Sequence, residues 1–93
     1  MEEKFIAAWQ KAIEEAAALG VRQRPLPDSP MIHAHRVLSS HRESDGFAAL
    51  AQKGRLELSL EALAIKKQFT SLFSDEEANN ALTRLLDAGY SFQ

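Results

Sequence analysis

The run Ser74-Asp75-Glu76-Glu77, opening onto Ala78, Ala81, Leu82, Leu85 and Leu86 and closing at Gly89-Tyr90, constrains this chain more than any other segment. A serine hydroxyl just ahead of a helix accepts a hydrogen bond from an orphan amide of the first turn. A glutamate three residues on bonds back to the serine amide, and the pair makes a capping box. Apolar spacing of three and four then collects one stripe on one helix face. Gly89 supplies the left-handed residue that ends it. The C-terminal quarter is thereby predicted to be an amphipathic helix with a buried stripe, and the chain a folded domain.

The same signals recur upstream. Residues 2–19 place Phe5, Trp9, Ala12, Ile13 and Ala16 on one stripe, with Glu2 and Glu3 at the positive end of the helix dipole and Gly20 as the stop. Residues 20–30 hold all three prolines, which remove amide donors and favour extended backbone, so an extended connector is expected there, with Leu26 tucked against the core. Ser29-Pro30 starts a second helix over about 30–41 that lines up Ala34, Val37, Leu38 and His41. The competing reading is a strand over 31–38 paired with 55–60; apolar residues that do not alternate cleanly favour the helix. Ser44-Asp45 is expected to cap a third helix at 46–53. Ser59 is expected to cap a fourth at 59–67, and the fifth spans about 75–88. The fold class is therefore all-α: one small domain of about five short helices over residues 1–93. Its core is drawn from Phe5, Trp9, Ile13, Val37, Leu50, Leu63, Leu82, Leu85 and Leu86. Phe69, Leu72 and Phe73 are expected to pin their loop to that core.

Composition narrows the chemistry. Ninety-three residues bury only about 60–70% of their unfolded surface, so a partner subunit is a natural source of further burial. Without cysteine there is no disulfide, zinc-thiolate site or cysteine nucleophile, which suits a reducing cytoplasm. The N-terminus lacks the pattern of a signal peptide, and no apolar run approaches the ~20 residues of a membrane span. The eight serines sit like caps and loop residues, none in a nucleophile elbow. The scattered glycines form no phosphate cradle. His33 and His35 lie about 200° apart on a helix and cannot co-ligate a metal there. No enzyme activity, cofactor or metal is expected.

Charge is unevenly spread. Residues 20–55 carry six basic against three acidic residues, while residues 1–19 and 56–93 are each net acidic. Such a division either steers an anionic partner to the middle or pairs the ends with the middle internally, and the internal pairing is the leading expectation for so small a surplus. The function expected is a binding module without catalysis that acts through a macromolecular partner, a protein or a second copy of the chain. Arg22, Arg24, Arg36, Arg42 and Phe92 are its candidate contacts, since arginine and aromatics concentrate at interfaces. The alternative is nucleic-acid binding by the basic middle, with Arg22, Arg24, Arg36, Arg42 and Arg55 on phosphates. The helix from Ser74 to Tyr90 is also similar in outline to a winged-helix recognition helix, with Asn79, Asn80, Thr83 and Arg84 placed for base edges. Its three leading carboxylates would meet phosphates at the end that normally approaches them.

Overall fold

A five-residue apolar helix, Leu60-Glu61-Ala62-Leu63-Ala64, has no solvent-facing side and becomes the centre around which the other elements pack. The computed structural model describes residues 1–90, and among them there is no strand. Five α-helices follow in order: α1 (Glu2–Ala18), α2 (Pro30–Ser39), α3 (Phe47–Gln52), α4 (Leu60–Ala64) and α5 (Asp75–Asp87). Single 3-10 turns at Leu56–Leu58 and Thr70–Leu72 lie before and after α4. The central α4 packs on α5, α1 and the Leu56–Leu58 turn, while α2 bridges α5 and α1. The body measures 29 × 28 × 24 Å.

Two of the predicted serine caps form, at Ser74 and Ser59, while Ser29 starts α2 without a side-chain cap hydrogen bond. Ser74 Oγ accepts the Glu77 amide at 3.1 Å and Glu77 accepts the Ser74 amide at 2.8 Å. Ser59 caps α4 by accepting the Ala62 amide at 3.1 Å. The helices α1, α3 and α5 all end on a left-handed glycine. In each case the amide after the glycine reaches back over the last turn: Val21 to the Ala16 carbonyl, Arg55 to Leu50 and Tyr90 to Leu85, each at 2.9 Å. The α1 stripe of Phe5, Trp9, Ala12, Ile13 and Ala16 is buried as expected. Phe69 and Phe73 are buried on Phe5 with ring centroids 5.2 and 5.1 Å away, so their loop is pinned.

Four expectations are corrected. Leu82 and Leu86 are not core: they are 37% and 55% exposed, and α5 buries Glu77, Ala81 and Leu85 instead. The helix is turned so that Asn80 and Arg84 reach α2, which swings Leu82 and Leu86 roughly 100° and 140° around the axis from Ala81. Val37 is only half-buried, because α2 gives Ala34 and Leu38 to the core and leaves Val37 on a wall. The Ser44-Asp45 cap of α3 does not form. Gly46 is the N-cap, at φ +78°, and an added Cβ there would meet Gln23 Cγ at 2.9 Å. The side chains of Ser44 and Asp45 make tertiary tethers instead. Finally, α4 stops at Ala64 rather than 67. A helix buried on every side has no exit for Lys66 and Lys67, so the chain turns and leaves both in water.

Candidate interaction surface

The C-terminus of α2 is held by side chains from α5. Asn80 Nδ2 donates to the Leu38 carbonyl at 2.9 Å, and Arg84 donates to the carbonyls of Val37, at 3.1 Å, and Ser40. The same guanidinium donates to the fully buried Glu61 carboxylate at 3.2 Å. Glu61 also accepts the amide of Ser44, at 2.9 Å, and its hydroxyl. One buried ion pair thus fixes the end of α2, the 40–46 segment, α4 and α5 together. Asn80 and Arg84 are spent on the fold, so two of the four side chains placed for base edges do not face outward.

That segment receives the proline-rich connector. The Arg24 amide donates to Asp45 at 2.8 Å, and the Gln23 side chain lies over Gly46. Leu26 is half-buried against the core, as expected. Between the connector, α1 and α2 opens a cleft of about 490 Å³. Trp9 and Ile13 of α1, Leu26, Val37 and Leu60 are in its apolar lining, and Arg24, Arg42, Glu43 and Asp45 are its charged lining. His33 stacks on Trp9 at 6.2 Å with the rings 19° from parallel. A volume in this range is that of ordinary ligand-binding clefts.

Of the proposed contact residues, the structure brings Arg24 and Arg42 to this one cleft and leaves Arg22 and Arg36 exposed outside it. Phe92 lies outside the described residues. The expected pairing of the basic middle with the acidic ends is met at Arg55–Glu57 and His35–Glu77 and is not met at Arg22, Arg24, Arg36 or Arg42. Among the described residues the ion pairs are His35–Glu77, Arg55–Glu57 and Arg84–Glu61, and none involves Arg22, Arg24, Arg36 or Arg42. Arg55, held by Glu57 at 2.6 Å, is the one phosphate candidate already occupied.

On the opposite side of α2, His35 has a role that no spacing in the sequence indicates. Its Nδ1 lies 2.8 Å from Glu77 Oε2 and 3.0 Å from Oε1, and its ring packs on Phe73 at 5.2 Å. Ser39 Oγ donates to the His35 carbonyl and to Glu77 at 3.3 Å. The serine therefore faces the carboxylate and not the imidazole, the reverse of a nucleophile–base–acid relay. Among the described residues no three metal-capable side chains converge. The two partners are 42 residues apart in the chain.

Burial alone would raise the pKa of Glu77, but hydrogen bonds from the Ser74 amide and then from His35, with the charge of His35, hold it below the ordinary glutamate range. The sign follows: a depressed folded pKa contributes stability that is complete above about pH 5 and is lost as pH falls through the folded value. Glu77→Gln is expected to cost about 1 kcal/mol at neutral pH and to flatten the acid limb of stability against pH. Urea titrations of both proteins from neutral to acid pH measure this, and parallel acid limbs would exclude the carboxylate as the source.

No helix among the described residues is long and apolar enough to cross a membrane. Comparison of the chain with protein-family models, with curated proteins and with solved structures finds no match.

Proposed function

We propose that this chain is a non-enzymatic binding module that docks an acidic protein surface through its exposed arginines. The observation that carries the reading is the set of four exposed guanidiniums, Arg22, Arg24, Arg36 and Arg42, with no ion pair among the described residues. Two of them line a cleft whose surface mixes apolar and polar side chains, as protein interfaces do. Glu43 and Asp45 line the same cleft, Asp45 accepting the Arg24 amide. Planar guanidiniums pair bidentately with carboxylates, and exposed ones contribute little to folding. A cytoplasmic setting belongs to the same proposal, on the absence of cysteine.

The test is reversal of all four arginines to glutamate. Helical content and thermal midpoint should stay close to the parent. A protein recovered with the parent from its native host, and shown to bind it as a purified pair, should be lost. Unfolding of the variant would mean that the arginines serve the fold, and retained binding would move the surface elsewhere. The same free guanidiniums favour a second reading, nucleic-acid binding through phosphates. It requires retardation of duplex or single-stranded probes at low salt, falling steeply as salt rises.

A further inference from the structure

Residues 22–28 run between two fixed points. Val21 is buried, with its amide on the Ala16 carbonyl at 2.9 Å, and Ser29 accepts the His33 amide at 3.1 Å in the first turn of α2. We propose that the stretch between them is a strap, which leaves its seat on the cleft and returns as a unit while the rest of the domain stays folded.

Little holds the strap down. Among the described residues its main-chain groups make no hydrogen bond to other main chain, and the bond from the Arg24 amide to Asp45, at 2.8 Å, is the one hydrogen bond it makes. Pro25 and Pro27 have no amide to offer. Leu26, its one large apolar side chain, is only half-buried against the core. Sparse apolar contact and few hydrogen bonds mark a segment that opens at a lower free energy than the whole domain.

One buried group opposes the seated state. The Gln23 side chain lies against Gly46, where an added Cβ would come within 2.9 Å of its Cγ, and its Nε2 is buried without a hydrogen-bond partner. Release returns that amide to water, so the seated strap carries an uncompensated donor that the open one does not. The acceptor of the latch is fixed. Asp45 follows Ser44, which Glu61 holds by its amide and hydroxyl, so the strap is the side that moves when the bond between Arg24 and Asp45 breaks. The prolines bias the released backbone towards the extended form it has when seated, which limits the conformational entropy lost on return. Release widens the cleft over Trp9 and Ile13, which share it with Leu26. It also moves Arg22 and Arg24 relative to Arg36 and Arg42, whatever those arginines bind.

Trypsin reads the release, because a cut between Arg22 and Gln23 needs the residues around that bond extended and unattached. At low protease the rate follows the population of the open form. The full chain is digested, fragment 1–22 is timed by mass spectrometry, and each rate is divided by that of a matching free peptide. In the parent the cut should respond only weakly to low urea, whereas global unfolding followed by circular dichroism responds with its full slope. Asp45→Ala removes the latch and should speed the cut about tenfold. Gln23→Met keeps the length of the side chain, removes the stranded amide and should slow the cut about threefold or more. If Asp45→Ala destabilises the domain so far that release and unfolding merge, Asp45→Asn, which keeps a weaker acceptor, takes its place and should speed the cut by a smaller factor. A cut whose urea dependence equals that of global unfolding overturns the proposal. So does a rate that the Asp45 variant leaves unchanged, or one that Gln23→Met raises or leaves unchanged.

Discussion

Replacing Arg84 by methionine should cost about 3–5 kcal/mol of folding stability, the usual consequence of removing one side of a buried ion pair. Glu61 is fully buried and would keep only the amide and hydroxyl of Ser44 as partners. The carbonyls of Val37 and Ser40 would lose a donor in the same step. Most of the loss comes from the desolvated charge of Glu61, because methionine replaces most of the volume of the arginine stem. Set against a typical total of about 5–15 kcal/mol, the loss brings the domain near its unfolding limit. Glu61→Gln combined with Arg84→Met should cost less than the two single changes added together, by about 0.5–3 kcal/mol, since the charge left stranded is then absent. Urea unfolding followed by circular dichroism gives both numbers. A loss under about 1 kcal/mol for Arg84→Met would show that water reaches Glu61 and that the junction is not the structural centre of the fold.

The same junction explains what the sequence alone makes visible. Ser74, Ser59 and the terminal glycines act on residues within one turn, so their roles can be read from spacing. The rotation of α5 about its own axis cannot. Period alone groups Leu82 and Leu86 with Leu85, and only the reach of Asn80 and Arg84 to carbonyls more than forty residues back turns those leucines outward. Ser44 and Asp45 fail as caps for a related reason. A better acceptor, Glu61, and a free amide, that of Arg24, lie across the fold and compete for them. A warning is present in Glu61 itself, a single carboxylate inside an otherwise apolar five-residue helix, which must find donors when buried. The exposed arginines are half-legible. Local charge surplus names the residues, but neither their freedom from ion pairs nor the meeting of Arg24 and Arg42 at one cleft follows from spacing. That meeting depends on where the connector docks.

Phe5→Ala should produce the other large effect, again about 3–5 kcal/mol, this time from lost packing. Phe5 is completely buried and touches three aromatic rings: Trp9 at 6.0 Å, Phe69 at 5.2 Å and Phe73 at 5.1 Å between centroids. Two of these belong to the loop between α4 and α5, so the ring is what seats α1 against the C-terminal half. Truncation leaves a cavity and also forfeits edge-to-face contacts worth about 0.5–1.5 kcal/mol each. The thermal midpoint should fall by more than about 12 °C for a domain of this size. Leu86→Ala is the matched control, a large apolar side chain on an exposed face, and should stay within about 0.5 kcal/mol of the parent. Trp9, one turn along α1 from Phe5, forms part of the cleft surface, so loosening α1 should also weaken partner binding under conditions where the variant remains folded. A Phe5→Ala protein that loses stability yet binds its partner at parental strength would separate the cleft from the seating of α1. It would place the binding energy on the arginines alone.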